Sequence, residues 1–479
     1  MEIDKLLLEG SAVAIREAYL ARHVSAAEAV AFYLARIERL NGGSRSLNAV
    51  KSIAGDALDR ARAADAALAS GQPLGPLHGI PILLKDNILV PRLGASAGSG
   101  ALQMFRPQKE ASLVARLRRS GAIILGKTNM TDFADYVSDV MPSGFSTGGG
   151  WVKNPLSGET YGRGQGSSVG SAAAVAASLA PIAIGSETQN SIQTPACASS
   201  VFGFKPSVGA VSRHGIVPLV PSQDSPGPLT RCMEDAVLLA SVLAGPDPAD
   251  ALTMAQGRSL SNLRPRDLRT VRIGVPRRTV VDRPELAAVL AVFERALSSL
   301  SAAGATIVDP CDLPSAEQIR DVRSSVFPAE FKAAFEAFLA DHGAPCGIDG
   351  LERLIAWYEA NAGANPFGHS LLLAAQQTAG LDQGPYQADR RRDIVLSRTA
   401  GIDAAVQSEV DVLMVPMSSL AKATGKAGAP VLALPLGTDA AGAPVGATLI
   451  APLGRDAELL ACGSAIAEAV AQRSFPQLD

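Results

Sequence analysis

Cysteine and histidine are scarce in this 479-residue chain, which contains five of each. The cysteines are odd in number, widely spaced and without a C-x-x-C pair, so the sequence predicts neither a disulfide framework nor a cysteine zinc site. The histidines show no H-E-x-x-H or similar ligand spacing. We therefore expect reduced thiols, no metal and no cofactor.

An excess of one charge is also missing, because 43 Lys and Arg face 46 Asp and Glu, for a formal net charge of -3. This balance provides no electrostatic footprint for nucleic acid or for an anionic membrane. The N-terminus has acidic residues where a secretory signal needs basic ones. We expect a cytoplasmic protein that acts on a small molecule and binds neither nucleic acid nor membrane. A homodimer is compatible with the sequence, which does not fix the oligomeric state.

A long hydrophobic run suitable for crossing a membrane is absent as well. The uncharged segment 164–186 begins with Gly, Ser and Gln, its apolar part is mostly Ala, and Pro181 interrupts it. It lacks the Leu-rich continuity that membrane insertion requires. The segment is more typical of a tightly packed core helix followed by a strand.

Helical and extended patterns alternate along the chain. Ser25 and Glu28 form a capping-box pattern before a helical segment. Residues 80–84 form a short apolar run after Gly79, which predicts a buried strand that places Lys85 at its end. Further apolar runs read "AIIL", "PIAIG" and "DVLMVP", with helical segments between them. This alternation predicts an α/β fold built on a parallel or mixed sheet.

The segment "GAIILGKT", residues 121–128, matches the Walker A pattern G-x-x-x-x-G-K-[ST] at every position. A phosphate-binding loop requires a strand before its first glycine and a flexible loop between the two glycines. Here a basic helical segment comes before Gly121, and the residues between the glycines are apolar and favour a strand. We therefore expect no nucleotide site.

Ser and Gly are concentrated in residues 164–206, at one place before an Ala-rich helix and at another after a strand. The apolar segment between them can fold back, which would bring two hydroxyls and several backbone amides into one pocket. "GSSVG" also fits the G-x-S-x-G nucleophile elbow, with Ser168 as nucleophile, but the polar segment before it is not the strand that this elbow requires. Helix capping and turn formation are the non-catalytic alternative.

Seven separated motifs occur in the order found in a known family: "GPLHGIPILLKDNI", "GAIILGKTNM", "GSSVGSAAAVAA", "ETQNSIQTPA", "FGFKPSVGAVSRHGIVP", "SQDSPGP" and "GAPVLALPLG". On these motifs the chain resembles the amidase signature family, and in particular its free-standing amidases with a Glu-Thr-x-x-Ser-Ile segment. The resemblance implies a central twisted mixed β-sheet covered by helices on both faces. It further implies one domain over 1–479, a signature core over 75–230 and a variable, mostly helical region over 280–410.

The resemblance also assigns a Ser-cisSer-Lys triad. Lys85 matches the family lysine, Ser167 the bridging serine after a cis peptide bond, and Ser191 the nucleophile. The backbone N–H groups of Thr188, Gln189, Asn190 and Ser191 match the oxyanion hole.

The chemistry of such a triad depends on an uncharged lysine. Lysine ordinarily has a pKa near 10.4, so Lys85 can act as a base at neutral pH only if burial favours its neutral form. Neutral Lys85 would accept a proton through Ser167 while Ser191 attacks an amide carbonyl, and the same chain would protonate the leaving amine. Water would then hydrolyse the acyl-enzyme.

Several residues depart from the family pattern. Gln189 and Asn190 stand where the family commonly has Gly-Gly or Asp-Gly, and Gln193 stands where Arg is frequent. If the loop needs a positive φ at position 190, Asn is the least strained replacement for Gly. Together with Asp135 and Tyr136 in the loop 133–146, Gln193 is a predicted substrate contact.

The sequence thus predicts an amidase that hydrolyses linear carboxylic amides. One alternative is the glutamine-hydrolysing A subunit of a tRNA-dependent amidotransferase, which works only inside a complex. The other is a catalytically impaired, amide-binding homologue in which Gln189 and Asn190 have spoiled the oxyanion hole.

Overall fold

A mixed β-sheet of eleven strands forms the centre of the protein. The structure, a computed structural model, describes residues 3–43, 46–279, 286–382, 384–407 and 409–478. The strands are β1 Val50–Ile53, β2 Pro81–Lys85, β3 Ile123–Thr128, β4 Phe145–Ser146, β5 Gly150–Trp151, β6 Ile182–Glu187, β7 Phe202–Lys205, β8 Ser225–Thr230, β9 Arg272–Gly274, β10 Thr306–Val308, β11 Val412–Pro416, β12 Val431–Thr438 and β13 Pro444–Ile450.

The strand order in the large sheet is β1-β3-β2-β6-β8-β7-β12-β13-β11-β9-β10, and β4 with β5 forms a separate hairpin. Strand β2 runs parallel to both of its neighbours, β3 and β6. Each neighbouring pair in the series β8-β7-β12-β13 is antiparallel. The mixed sheet confirms the predicted fold class.

Helices flank the sheet. They are α1 Ile3–Glu9, α2 Ala12–Leu20, α3 Ala26–Asn41, α4 Ala57–Ala69, α5 Ser112–Arg119, α6 Val169–Ala176, α7 Gln193–Ala198, α8 Met233–Leu243, α9 Ala251–Gln256, α10 Ala287–Ala302, α11 Ala316–Asp321, α12 Val326–Asp341, α13 Leu351–Ala360, α14 Ser370–Gln376, α15 Tyr386–Ile394, α16 Asp403–Ala405, α17 Ala421–Ala427 and α18 Asp456–Val470, with a π-helical segment Val395–Ile402 before α16. None of the helices in the described ranges has both the length and the apolar character needed to cross a bilayer.

Helix α3 begins where the capping-box pattern predicts. The Ser25 side chain accepts a hydrogen bond from the Glu28 backbone N–H, and the Glu28 carboxylate accepts one from the Ser25 N–H at 2.8 Å. Two N–H groups without intrahelical partners are satisfied in this way. Sequence alone thus located this helix start.

The Walker-like segment 121–128 lies within the sheet. Strand β3 includes most of it, is buried throughout and pairs with β1 and β2. The Lys127 ammonium donates to the carbonyl oxygens of Ile88 and, at 3.2 Å, Gly94. The apolar residues between the glycines therefore form a strand, and the lysine fastens the loop after β2.

The described part of the 280–410 region is mostly helical, and three of its helices contribute to a second hydrophobic core. Helices α12, α13 and α14 pack there against the loop that follows β3. The ring centroids of Phe133 and Phe335 lie 5.2 Å apart, and those of Tyr136 and Phe331 lie 4.9 Å apart. Aromatic pairs at such distances add to the stabilisation from burial. The region predicted to vary is thus joined to the loop that carries Asp135.

Candidate active site

Two neighbouring parallel strands bring the predicted catalytic segments to one edge of the sheet. In the β2–β6 pair, Leu84 lies opposite Ile184, so the carboxyl ends of both strands point to the same side. Lys85 is the last residue of β2, and the loop after β6 leads to Ser191. Parallel pairing therefore places Lys85 and Ser191 close together although they are distant in sequence.

Helix α6 contributes Ser167 from the residues just before its start. A Cβ atom built on Gly170 would lie 2.3 Å from the carbonyl oxygen of Asn129, so only glycine permits this approach of the helix to the end of β3. The peptide bond between Gly166 and Ser167 is cis. The close packing places the Ser167 hydroxyl at the edge where β2 ends.

A hydrogen-bonded chain links the three residues. The Lys85 ammonium donates to Ser167 Oγ at 2.8 Å, and Ser167 Oγ donates to Ser191 Oγ at 3.0 Å. Lys85 and Ser167 are fully buried, and Ser191 is 3% exposed. Of these three residues, only Ser191 is therefore accessible from the cleft.

Burial makes Lys85 an unusually weak base for a lysine. Desolvation lowers the pKa of its ammonium to about 7, although the negative charges of Asp135, Glu187 and Asp224 act in the opposite direction. The ammonium also donates to the backbone oxygen of Ser186 at 2.9 Å and to its hydroxyl at 3.1 Å. Both protonation states are therefore accessible near neutral pH.

Ser168 is buried as well, but its hydroxyl has different partners. Ser168 Oγ donates to the carbonyl oxygen of Ser186 at 3.1 Å and accepts from the N–H of the same residue at 3.3 Å. No His or carboxylate is among these partners. The contacts tie the start of α6 to β6 and do not resemble the nucleophile elbow considered for this residue.

The loop 188–191 offers free backbone donors. Among the hydrogen bonds of the described residues, none uses the N–H groups of Thr188, Gln189, Asn190 or Ser191 as a donor. Neither Gln189 nor Asn190 has a positive φ, so the loop does not need the conformation for which glycine would be favoured. Unpaired amides beside a hydroxyl are the arrangement expected of an oxyanion hole.

A buried carboxylate holds this loop from within. Glu187 accepts the N–H groups of Ile192 at 2.6 Å and Gln193 at 2.8 Å, and burial raises the pKa of Glu187. The Gln193 amide nitrogen donates to Glu187 at 2.7 Å and to the Gln189 carbonyl oxygen at 2.7 Å. The sequence did not assign this function to Glu187, although it is the only acidic residue between 164 and 206.

The two unusual residues before Ser191 connect the loop to its neighbours. The Asn190 side-chain amide donates to the Gly164 carbonyl oxygen at 2.8 Å, which joins the nucleophile loop to the loop that carries Ser167. The Gln189 side-chain amide donates to Gln223 at 3.3 Å. Both substitutions thus form cross-links between loops.

A cleft of about 290 Å³ opens beside Ser191. Asp135 and Tyr136, two of the predicted substrate contacts, line it. Gln193, the third, does not line it, because its side chain is 1% exposed and engaged beneath the loop. Phe327 and Leu371 complete the apolar wall, and no sequence motif had pointed to them.

A hydrogen bond from Ser143 fixes the side chain of Asp135 in the cleft beside Ser191. Its carboxylate accepts the Ser143 hydroxyl at 3.0 Å, and its backbone has a φ of 73°. Burial raises the pKa of Asp135 to about 6, against the effects of hydrogen bonds from Ser143 and Thr131. The carboxylate is therefore largely ionised at neutral pH.

One group of side chains in the described ranges has metal-ligating atoms close together, namely Cys232, Glu234 and Asp235 at the start of α8. The Asp235 carboxylate already accepts the backbone N–H groups of Ala12 at 2.9 Å and Val13 at 3.4 Å. These contacts of Asp235 fasten the start of α2 to α8.

The chain is similar to known proteins in sequence and in overall structure. The family model for amidases matches residues 28–426. A probable amidase of Arabidopsis thaliana is 33% identical over 90% of this chain and 84% of the plant protein. The A subunit of the glutamyl-tRNA(Gln) amidotransferase of Ralstonia pickettii is 33% identical over 94% of this chain and 95% of its own length.

Among solved structures, the peptide amidase of Stenotrophomonas maltophilia superposes with a TM-score of 0.90 at 36% identity, covering 98% of this chain and 99% of that protein. The chain therefore belongs to the amidase signature family, as its motifs predict, and it is an amidase that hydrolyses C–N amide bonds.

Proposed function

We propose that this member of the amidase signature family cleaves carboxylic amides through an acyl-enzyme on Ser191, with Lys85 as the base and Ser167 as the bridge between them. The observation that carries the proposal is the unbroken chain from the Lys85 amine through Ser167 Oγ to Ser191 Oγ, with distances of 2.8 and 3.0 Å. Each contact is within the range for direct proton transfer.

In the first half-reaction, neutral Lys85 takes the proton of Ser167 while Ser167 takes the proton of Ser191. The Ser191 oxygen bonds to the amide carbon, and the carbonyl π electrons move to its oxygen. When that oxyanion collapses, the C–N bond breaks and the amine leaves with a proton that returns from Lys85 through Ser167. In the second half-reaction water uses the same route, and the carboxylic acid is released from Ser191.

The oxyanion formed in each half-reaction needs hydrogen-bond donors. We assign this role to the backbone N–H groups of Thr188, Gln189, Asn190 and Ser191, which have no other acceptor among the described residues. Removal of one such donor typically costs roughly 3 to 4 kcal/mol in the barrier. Glu187 and Gln193 keep the loop in shape and do not touch the substrate in this proposal.

We further propose that Asp135 and Tyr136 contact the substrate, because both line the cleft beside Ser191. The Stenotrophomonas relative is named a peptide amidase. Peptide amides therefore belong in the first substrate panel, together with simple primary amides, anilides and hydrazides.

The test combines active-site labelling with hydrolysis assays. A fluorophosphonate should label the wild-type protein on Ser191, as located by peptide mass spectrometry, and the label should be absent from Ser191→Ala. Amide hydrolysis should disappear in the same variant. Labelling of another serine, or undiminished hydrolysis by Ser191→Ala, would overturn the assignment.

The same assays distinguish the two alternatives. Glutamine hydrolysis that appears only when partner subunits are added would favour the amidotransferase component, to which this chain is similar along most of its length. Absence of both labelling and hydrolysis would favour an impaired homologue.

Three further statements remain predictions: residues 1–479 form one catalytic domain, the enzyme needs no cofactor, and it acts in the cytoplasm. Light scattering of the purified protein would establish whether it forms the homodimer that the sequence permits.

A further inference from the structure

The cleft beside Ser191 contains a carboxylate that forms no direct ion pair, although the charge of Lys85 acts on it from a longer distance. Asp135 is the only Asp or Glu among the described residues that line this cleft. No Lys, Arg or His of the described ranges lies within ion-pair distance of it. Ion pairing of buried carboxylates varies in this protein: Asp86 lies 3.0 Å from Lys51, whereas Glu187 and Asp235 accept hydrogen bonds from neutral N–H groups.

The position of this carboxylate relative to the triad is fixed. The Ser143 hydroxyl holds Asp135 Oδ2 at 3.0 Å. A Cβ atom built on Gly166 would lie 3.0 Å from the same oxygen. Asp135 therefore touches the residue that precedes Ser167, so any group bound by its carboxylate lies close to the reacting atoms.

Aromatic rings form the neighbouring wall of the cleft. The ring centroids of Tyr136 and Phe327 lie 5.7 Å apart, and both residues line the cleft. An ammonium group is stabilised by a carboxylate through a charge-assisted hydrogen bond and by aromatic faces through cation–π attraction. A neutral apolar group could use the rings but would leave the carboxylate unpaired and desolvated, which is unfavourable.

We infer that the cleft selects amides that carry a cationic amino group near the scissile bond, and that Asp135 pairs with that ammonium. This inference rests on the proposed function, because it assumes that the amide is cleaved at Ser191. The substrates would thus be amino amides, and Asp135 would determine the specificity of the reaction.

Pairing of a substrate ammonium with Asp135 would also favour the neutral, basic form of Lys85. The charged groups that act on Lys85 are Asp135, Glu187 and Asp224, and each of these carboxylates raises its pKa. A substrate ammonium on Asp135 cancels the first of these charges. The pKa of Lys85 then falls, so more of the lysine is neutral at a given pH when the cationic substrate is bound.

Three matched pairs of substrates test the inference. Glycinamide, β-alaninamide and 4-aminobutanamide each have a neutral isostere in which a methyl group replaces the ammonium: propanamide, butanamide and pentanamide. For at least one pair, wild-type kcat/KM should favour the amino amide by about tenfold or more, since a tenfold ratio needs only about 1.4 kcal/mol. The series also shows which distance between ammonium and carbonyl fits the cleft.

Asp135→Asn keeps the size of the side chain and removes its charge. For the preferred pair, the ratio of kcat/KM values should fall by about tenfold or more in this variant. Asp139→Asn is the matched control, because Asp139 is an exposed residue of the same loop that bonds Ser370 outside the cleft. Its ratio should equal that of the wild type.

A second readout separates charge from shape. With pentanamide as substrate, the pH of half-maximal kcat/KM should move to lower pH in Asp135→Asn, because loss of the negative charge lowers the pKa of Lys85. A loss of packing alone would not move it in that direction.

Equal kcat/KM within every pair, a preference for the neutral isosteres, or an unchanged ratio in Asp135→Asn would overturn the inference. If Ser191 is labelled by the fluorophosphonate in those cases, the proposed function survives and only the substrate class is wrong. If Ser191 is not labelled, the proposed function itself fails.

Discussion

Two buried lysines lie side by side in the central sheet and differ in what surrounds them. Lys85 ends β2, and Lys127 lies in β3 opposite Leu84. Neither is exposed, and burial lowers the pKa of both, to about 7 for Lys85 and about 8 for Lys127. Burial and strand position therefore do not distinguish the two.

The partner atoms do distinguish them. Lys85 contacts the hydroxyls of Ser167 and Ser186, whereas the hydrogen bonds of Lys127 go to the carbonyl oxygens of Ile88 and Gly94. A hydroxyl can both accept and donate a proton, but a carbonyl oxygen can only accept a hydrogen bond. A buried amine becomes a usable base only when a proton relay reaches it.

The largest expected effect comes from replacing each lysine by Met. Lys85→Met should lower kcat/KM by about 10⁴-fold or more, since members of a catalytic triad act as a unit. Lys127→Met should lower the free energy of unfolding by about 1 to 3 kcal/mol, because two buried carbonyl oxygens lose their donor. Assays of amide hydrolysis measure the loss of kcat/KM, and urea denaturation measures the loss of stability, each on both variants. Lys85→Met with wild-type activity would contradict the assigned base.

The second largest effect is expected from replacing Ser167, and its neighbour Ser168 serves as the comparison. Ser167→Ala interrupts the relay and should reduce kcat/KM by about 10²- to 10⁴-fold. Ser168→Ala removes a buried hydroxyl whose partners are backbone atoms of Ser186, so it should mainly reduce stability. Steady-state kinetics with thermal unfolding separates the two effects. A larger catalytic loss in Ser168→Ala would restore the nucleophile-elbow alternative.

A smaller effect concerns pH. Below pH about 7, kcat/KM should fall tenfold per unit, because Lys85 must be neutral to act and its pKa is about 7. Lys127→Met should leave this limb in place. A rate that stays constant between pH 5 and pH 7 would argue against Lys85 as the base.

The same pKa values have a consequence for stability. Both lysines bind their proton less tightly in the folded state than in the unfolded state, so the free energy of unfolding should rise with pH between the folded pKa values, about 7 and 8, and the unfolded value of 10.5. Each Lys→Met variant should show a shallower rise in urea denaturation over this range. A slope unchanged by Lys127→Met would mean that Lys127 is not desolvated.

The smallest expected effect is none at all. ATP with Mg²⁺ should leave the thermal midpoint unchanged, because the Walker-like residues form a buried strand. A ligand present at about 100 times its Kd would stabilise the protein by about 2.7 kcal/mol, which thermal scanning detects easily. A reproducible increase of the midpoint would show that a nucleotide site exists.

Much of the fold could be predicted because local patterns determine it. The apolar run before Lys85 predicts β2, and the Ser25 and Glu28 pair predicts the start of α3. Strand β1, with the sequence VKSI, was not predicted, since its four residues do not alternate strictly between apolar and polar. Its place in the sheet depends on its pairing with β3.

The site could be predicted only where motifs exist. Lys85, Ser167 and Ser191 were named from the resemblance, and the structure brings them into one hydrogen-bonded chain. The position of Gln193 beneath the loop could not be read from the sequence, because it depends on how residues 188–192 turn. Phe327 comes from a region without motifs, and its contact with Tyr136 spans almost two hundred positions.

Because α12 packs against the loop after β3, residues outside the sheet help to shape the cleft, and substrate preference can change independently of the proton relay. Phe327 and Leu371 shape the cleft from one side, while the proton relay belongs to the sheet edge and α6. Substitutions at Phe327 and Leu371 should therefore change substrate preference while Lys85, Ser167 and Ser191 keep their hydrogen bonds. Random libraries confined to this wall are a practical starting point for engineering new amide selectivities.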